Sequence, residues 1–343
     1  MAYIVQSSER VRGIGTEYET KAMLYLMNCR EDSYQISFFA IDFYNDVTGL
    51  NTLADKAWDV QSKGTKAGGP KEVGKELVTL FKNFMSELNF DYLILFLATV
   101  PATLRKDNSL TTFGIENITE GRPLKALREG LVEEAGKKEY INDEWITDAN
   151  IDAFLNRVTF VVDDKSKAEY VRGIMSVNPK YIPQDSVLDG IFNKIRDAQS
   201  AKKNNESVEG EMVTHLREVL YFDRVLKVRE IRLMVLNSFI NHDVINTPPP
   251  QSFYQLLRRF DGLRQKEIIE DCQLQIARLL YDKTYTEEFW KLLNLIYEAI
   301  DENGTATIKQ LFDSIANEEP AKNPRLDALT VQYLIAVVKE ALQ

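Results

Sequence analysis

Cysteine and histidine are scarce in this sequence, which has two of each among 343 residues. Cys29 and Cys272 are too few for a disulfide framework, and their number fits a reducing compartment such as the cytoplasm. His215 and His242 lie far from each other and from the cysteines along the chain, which argues against a zinc site. We therefore expect neither a disulfide-stabilised nor a zinc-stabilised fold.

Long apolar runs and an excess of basic residues are also missing. The longest apolar stretch, residues 92–100 (YLILFLATV), is strand-sized, whereas a membrane-spanning helix needs about 20 apolar residues. The N-terminal sequence MAYIVQSSERVR has no basic leader followed by an apolar core, so we expect a cytoplasmic protein without a signal peptide or a membrane segment. The net charge of −10 argues against nonspecific attraction to nucleic acid, although it leaves room for a local basic groove.

The first half of the chain alternates helix-like and strand-like segments. Residues 92–100 form a near-continuous apolar run, which is typical of a central strand covered on both faces. The other segments are predicted from their periodicity and their flanking turn residues: helices over 16–28 and 71–88, strands over 35–43, 57–63 and 157–162, and a turn with a short strand over 45–53.

Amphipathic helical periodicity dominates from about residue 165 onward, as in 187–196, 209–221 and 230–239. The length of the chain suggests two domains. We therefore predict an α/β domain over residues 1–165, with a mixed central sheet flanked by helices, and a mainly α-helical domain over residues 166–343.

The strand predicted over residues 57–63 (AWDVQSK) carries an unusual pattern of polar residues. Because side chains alternate along a strand, Asp59, Gln61 and Lys63 share one face. This face either meets water on an edge strand, where Lys and Asp hinder aggregation, or forms a site. Phosphodiester hydrolysis needs a divalent cation, for which oxygen ligands suit Mg²⁺, and a positive group near the developing charge. Together with Asp46 at the preceding turn, the three residues supply those parts.

Glu19 lies in the predicted first helix, where its helical neighbours at positions 22, 23 and 26 are apolar. A carboxylate on the packed face of a helix is costly unless it has a partner. A metal site or a positive group on the adjoining sheet would provide that partner. The alternative is a helix rotated so that Glu19 lies at the margin of the packed face.

Three short motifs carry a family resemblance: GTEYE at 15–19, NDV at 45–47 and WDVQSKG at 58–64. Together they resemble the PD-(D/E)XK, or restriction-endonuclease-like, nuclease superfamily. They are more closely similar to the endonuclease domain of bacterial anti-phage effectors, which occur in cyclic-oligonucleotide (CBASS) and Lamassu-type systems. The resemblance covers roughly residues 10–165 and implies a restriction-endonuclease-like fold for the first domain.

The resemblance implies a Mg²⁺-dependent DNA endonuclease in which Mn²⁺ can substitute. Asp46, Asp59 and Gln61 would hold the cation, with Asp59 as an additional acid on the same face. Glu19 would bind the cation through water or orient a ligand, and Lys63 would position the attacking water and offset the charge on phosphorus. These five residues are the predicted catalytic set, and Asp42 is the rival for the role of Asp46.

The implied substrate is double-stranded DNA, which would reach the site across a basic stretch containing Lys66, Lys71 and Lys75. The helical tail is too short for the nucleotide-sensing domain of the CBASS effectors and looks more like the Lamassu effector. That likeness implies a defence complex with an SMC-like ATPase and accessory subunits, in which the tail serves docking or homo-oligomerisation. The alternative is a noncatalytic DNA-binding or assembly subunit with a decayed nuclease fold, with which Gln61 at the usual acid position is compatible.

Overall fold

The computed structural model describes residues 3–6, 13–65, 68–282 and 285–342. The chain divides into two compact units, of which the first comprises Met1–Tyr170 with Asn193–Val228 and the second comprises Val171–Phe192 with Arg229–Gln343. The segment Asn193–Val228 was predicted to be part of the helical domain, yet it belongs to the first unit.

The first unit contains a seven-stranded sheet and a two-stranded sheet. The chain passes from one unit to the other within α6, within α7 and after Val228. The elements up to the end of this unit are β1 (Tyr3–Ile4), α1 (Gly13–Asn28), β2 (Ile36–Ile41), β3 (Val47–Asn51), β4 (Ala57–Lys63), α2 (Pro70–Lys75), α3 (Val78–Met85), β5 (Tyr92–Leu97), β6 (Thr112–Phe113), α4 (Arg122–Ala135), α5 (Asp148–Leu155), β7 (Val158–Val162), α6 (Lys167–Arg172), α7 (Asp185–Asn204), β8 (Met212–Val213) and β9 (Val225–Lys227).

Seven of the described strands form a mixed sheet in the order β6-β7-β5-β4-β3-β2-β9. Strands β4, β5 and β7 run parallel to their neighbours in that group, whereas β2, β3, β4 and β9 are joined by antiparallel pairs. Because β4 is the fourth strand of the seven, the interpretation of its polar residues as a solvent-facing edge is wrong. The predicted mixed sheet flanked by helices is confirmed.

The two faces of the sheet at β4 are covered by different helices. Gly49 on β3 pairs with Trp58, and a Cβ on Gly49 would lie 3.2 Å from a methyl group of Leu26 on α1. The face that carries Trp58 and Ser62 is therefore the α1 face. The opposite face, which carries Asp59, Gln61 and Lys63, meets Thr79 and Asn83 of α3 and is called the α3 face.

Several predicted bounds need correction. The helix predicted over 71–88 is two helices, α2 and α3, and the strand predicted over 92–100 ends at Leu97. The helix predicted over 209–221 is wrong, because this segment holds β8 and the 3₁₀ helix Leu216–Tyr221. Strand β9 was not predicted at all and pairs antiparallel with β2. Two- and three-residue strands are too short to show a periodicity of their own.

The second unit is helical, as predicted for the C-terminal part. Its core includes the fully buried aromatic side chains of Phe253, Phe289, Trp290 and Tyr333. No helix among the described residues is both long and apolar enough to span a membrane. The helices that complete the chain are α8 (Val228–Phe239), α9 (Gln251–Leu257), α10 (Gly262–Tyr281), α11 (Thr286–Glu302), α12 (Ile308–Ile315) and α13 (Ala328–Ala341).

Candidate active site

Asp46 lies at the turn into β3, next to the end of β4. Val47 pairs with Val60, so β4 continues past the first residue of β3 and leaves the Ser62 backbone N–H without a strand partner on that side. The Asp46 carboxylate replaces that partner: Oδ2 accepts hydrogen bonds from the Ser62 backbone nitrogen at 2.8 Å and from Ser62 Oγ at 2.9 Å. These bonds fix the carboxylate at the ends of two neighbouring strands.

Gln61 is joined directly to the same carboxylate. Its Nε2 donates to Asp46 Oδ2 at 2.9 Å, and its Oε1 accepts from the Thr79 hydroxyl at 2.7 Å. These three hydrogen bonds, from the Ser62 backbone, the Ser62 hydroxyl and the Gln61 amide, all reach Asp46 Oδ2, and none of the three reaches Oδ1. The Gln61 amide could also turn over and present its oxygen beside Asp46. Its nitrogen would then donate to the Thr79 hydroxyl, because a hydroxyl both donates and accepts hydrogen bonds.

Asp59 lies in the interior on the α3 face, in a setting that differs from the predicted one. Its carboxylate accepts from Thr48 Oγ1 at 2.8 Å, Asn45 Nδ2 at 3.2 Å and Asn83 Nδ2 at 2.7 Å. Burial raises its pKa to about 6, against the effect of these hydrogen bonds. Three neutral donors thus hold the Asp59 carboxylate in the interior, and its predicted role as a metal ligand stays a prediction.

Lys63 points to the α3 face and forms an ion pair with Glu76, with Nζ 3.1 Å from Oε2. Its side chain keeps 42% of its surface exposed. An exposed ion pair contributes only about 0–1 kcal/mol to the stability of the fold, so the Lys63 ammonium can exchange Glu76 for another anion.

The lysines predicted to bind DNA also have acidic partners. Lys71 pairs with Glu133 at 2.6 Å, and Lys75 pairs with Glu72 at 3.0 Å. Lys66 lies outside the described residues. The described lysines that follow β4, Lys71 and Lys75, therefore form ion pairs with acidic side chains and do not line a purely basic groove.

Glu19 is on the packed face of α1, with 8% of the residue exposed, so the alternative of a marginal position is wrong. Its Oε1 lies 3.3 Å from Lys203 Nζ on α7, and its Oε2 has no hydrogen-bond partner among the described residues. Burial and the neighbouring Asp46 carboxylate raise the pKa of Glu19 to about 7. The expected positive partner exists, but it comes from a helix rather than from the adjoining sheet.

Two cationic residues of this site, Lys203 and Arg224, were not predicted. Lys203 Nζ lies 3.6 Å from Asp42 Oδ1, and Arg224 Nη1 lies 3.5 Å from Asp42 Oδ2. Asp42 adopts a left-handed backbone conformation, with φ of 50°, at the end of β2, which Asp tolerates better than most residues. Both cations come from Asn193–Val228, far along the chain from their partners, so no spacing in the sequence indicates them.

The electrostatics of the pocket favour additional positive charge. Burial raises the pKa of Asp46, against the hydrogen bond from the Ser62 backbone and the attraction of Lys203. Burial also disfavours the charged form of Lys203, but the carboxylates of Glu19, Asp42 and Asp46 outweigh it and raise the pKa of the ammonium. Among the described residues, Lys203 and Arg224 lie against carboxylates of this group, in an interior where unbalanced charge is costly.

The pocket beside Asp46 contains carboxylate oxygens, the kind of ligand that Mg²⁺ prefers. Within the described ranges, no group of three or more His, Cys, Asp or Glu side chains is arranged to hold a metal. Mg²⁺ does not require such a group, because it keeps several waters and binds through one or two carboxylates. The unpartnered buried oxygen of Glu19 and Asp46 Oδ1 are oxygens of this kind, and the Gln61 amide would add its Oε1 if the amide turned over at Thr79.

Of the predicted site residues, the structure joins Asp46 to Gln61 and brings Glu19 within electrostatic range of Asp46, while Asp59 and Lys63 are held by other partners. Comparisons of the chain with models of known protein families, with curated proteins and with solved structures find no match in any of the three.

Proposed function

We propose that this protein is a metal-dependent endonuclease that hydrolyses phosphodiester bonds in DNA. The observation that carries the proposal is the bond between the Asp46 carboxylate and the Gln61 amide at the ends of two adjacent strands. This contact joins the acid of the NDV motif to the first residue of the Q-x-K motif, as the resemblance to PD-(D/E)XK nucleases implies. The mixed sheet flanked by helices supports the same fold.

Asp46 and Gln61 would hold Mg²⁺, with Glu19 acting directly or through water. When bound, the ion supplies Lewis-acid polarisation of the phosphoryl oxygen and a more acidic water. The residues of the chain provide the positioning. Ser62 fixes the Asp46 carboxylate through two hydrogen bonds, and Thr79 fixes the Gln61 amide.

Asp59 and Lys63 have distinct roles in this proposal. Asp59 accepts a hydrogen bond from Asn45, the residue before Asp46, and so anchors the turn that presents the acid. Lys63 would leave Glu76 for the scissile phosphate and stabilise the negative charge that develops on it, for which preorganised positive groups are effective.

We extend the proposal to double-stranded DNA as the substrate, and to a Lamassu-like defence complex with an SMC-like ATPase as the setting. The exposed lysines near β4 support the first part, because phosphates can replace carboxylates that contribute little to stability. The second part rests on the resemblance, in which the helical second unit would serve docking or homo-oligomerisation.

The alternative is a noncatalytic DNA-binding or assembly subunit, and two observations favour it. The Asp59 carboxylate accepts hydrogen bonds from three side chains of the protein, and the Lys63 ammonium is paired with Glu76. Both would persist in a fold that no longer binds a cation.

Cleavage of duplex DNA by the full chain with Mg²⁺ or Mn²⁺ tests the proposal against the alternative. Lys63→Ala should lower the cleavage rate by about two to three orders of magnitude, as the loss of one charge-stabilising donor does. Lys106→Ala is the matched control, because Lys106 is similarly exposed, at 45%, and is also ion-paired. Native-rate cleavage by a folded Lys63→Ala variant, or wild-type protein that binds DNA without cutting it, would contradict the proposal.

A further inference from the structure

Lys203 enters the acidic pocket from α7 and is nearly removed from solvent, with 9% of its side chain exposed. Its ammonium lies 3.3 Å from Glu19 Oε1 and 3.6 Å from Asp42 Oδ1. Both distances exceed those of the closest ion pairs in the chain, such as the 2.6 Å between Lys21 and Asp163. The ammonium therefore lies between two carboxylates, with one long hydrogen bond to Glu19 Oε1 and a longer ion pair to Asp42.

We propose that Lys203 is a built-in cation that fills the acidic pocket beside Asp46 in the metal-free protein and competes there with a divalent cation. Loading of the site then requires the ammonium to move away from Glu19. The inference rests on the proposed metal site and adds a regulatory element to it, because contacts that pull Lys203 out of the pocket would favour loading.

The unmet hydrogen-bonding capacity of the pocket supports this competition. Lys203 donates to Glu19 Oε1, but Glu19 Oε2 is buried without a partner in the described structure, so the ammonium satisfies only one of the two carboxylate oxygens. A buried acceptor without a donor is costly, and a hydrated divalent ion would satisfy it through the metal or its waters.

Lys203 and Arg224 differ in their capacity to move. The Arg224 guanidinium is 4% exposed, lies 3.5 Å from Asp42 and donates one hydrogen bond, from Nη2 to the Glu206 backbone oxygen, while its Nε and Nη1 have no hydrogen-bond partner among the described residues. The lysine ammonium is a compact charge on a flexible four-carbon stem, whereas the arginine guanidinium is planar and rigid, so the ammonium can change partners with the smaller rearrangement. Lys203 is thus the cation that can yield to a metal.

The competing role and a merely structural role predict opposite changes in metal affinity. If Lys203 competes, its removal eliminates a rival charge and makes the pocket more negative, so a divalent cation binds more tightly. If Lys203 only supports the fold, its removal loosens the pocket, so the cation binds equally well or more weakly. Both roles lower the stability of the metal-free protein, because a buried charge loses its partner.

The experiment compares Mn²⁺ binding to the full-length wild type, Lys203→Met and Lys202→Met by calorimetric titration. Lys202 is the matched control, since it is the adjacent residue on α7 and pairs with Asp223. We expect Lys203→Met to bind Mn²⁺ at least about tenfold more tightly than wild type, and Lys202→Met to bind as wild type does. A folded Lys203→Met variant with unchanged or weaker binding would overturn the inference.

A second measurement uses the wild-type protein alone, so it does not depend on a variant that folds. Acetylation of lysines by an amine-reactive reagent, followed by mass spectrometry, should increase severalfold at Lys203 when Mn²⁺ is added, with buried Lys21 as the unchanged control. No increase at saturating Mn²⁺ would overturn the competition. Absence of Mn²⁺ binding in both wild type and Lys203→Met would instead remove the metal site, and with it the proposed function.

Discussion

Gly130 lies where α4 crosses α2, and its replacement by alanine tests how closely these helices must approach. A Cβ on Gly130 would lie 2.0 Å from the Lys71 backbone oxygen, and a Cβ on Gly74 would lie 2.0 Å from the Leu127 backbone oxygen. These atoms belong to helix backbones, so one helix must shift to relieve the clash. Such overpacking costs about 1–3 kcal/mol.

The matched control is Gly190→Ala in α7, where a Cβ would meet nothing within 4 Å. Both substitutions gain about 0.5–1 kcal/mol from the better helix propensity of alanine, so that gain cancels between them. Urea denaturation should therefore show Gly130→Ala to be less stable than Gly190→Ala by about 1–3 kcal/mol. Equal stability of the two variants would refute the close approach of α2 and α4, and with it the placement of Lys71 beside α4.

Three further predictions concern buried polar groups around β4. Burial lowers the pKa of Lys82 to about 8, so the folded state releases this proton first and the contribution to stability rises as the pH increases past 8. Relative to Lys82→Met, wild type should gain about 1.4 kcal/mol between pH 7 and pH 9 in urea denaturation, and a constant difference would be inconsistent with this burial. Asp59→Leu should cost about 1–3 kcal/mol in thermal unfolding, because the buried amide groups of Asn45 and Asn83 would lose their acceptor, and a neutral effect would argue against the network. Ser62→Ala should cost only about 0.5–1.5 kcal/mol, because the backbone bond to Asp46 remains, and a larger loss would show that the hydroxyl does more than hold that carboxylate.

Local patterns in the sequence were sufficient for some elements and not for others. Strand β4 has the predicted bounds, Ala57–Lys63, because its alternation is clear and Gly64 follows it. The helix predicted over 71–88 is interrupted instead, at the point where the first of the two helices meets α4. Gly74, just before the interruption, approaches the backbone of α4 closely, a tertiary contact that the periodicity of the segment does not reveal.

In the candidate site, too, local patterns predicted some features, and tertiary contacts determine the others. The alternation placed Asp59, Gln61 and Lys63 on one face correctly, and the apolar neighbours of Glu19 predicted its burial correctly. The hydrogen-bond partners of these side chains were not predictable, because those of Asp59 come from α3, from the β2–β3 turn and from β3 itself. Lys203 reaches Glu19 from 184 positions away in the sequence, a distance at which spacing carries no signal.

The central claim is that Asp46 and Gln61 hold a divalent cation, and Mn²⁺ titration of wild type and Asp46→Asn by electron paramagnetic resonance tests it most directly. Asp55→Asn is the control, because Asp55 is an exposed acid near the opposite end of β3 that bonds only locally to Asn51. We predict one Mn²⁺ site in wild type and in Asp55→Asn, and none in Asp46→Asn. Equal Mn²⁺ binding by all three proteins would contradict the claim.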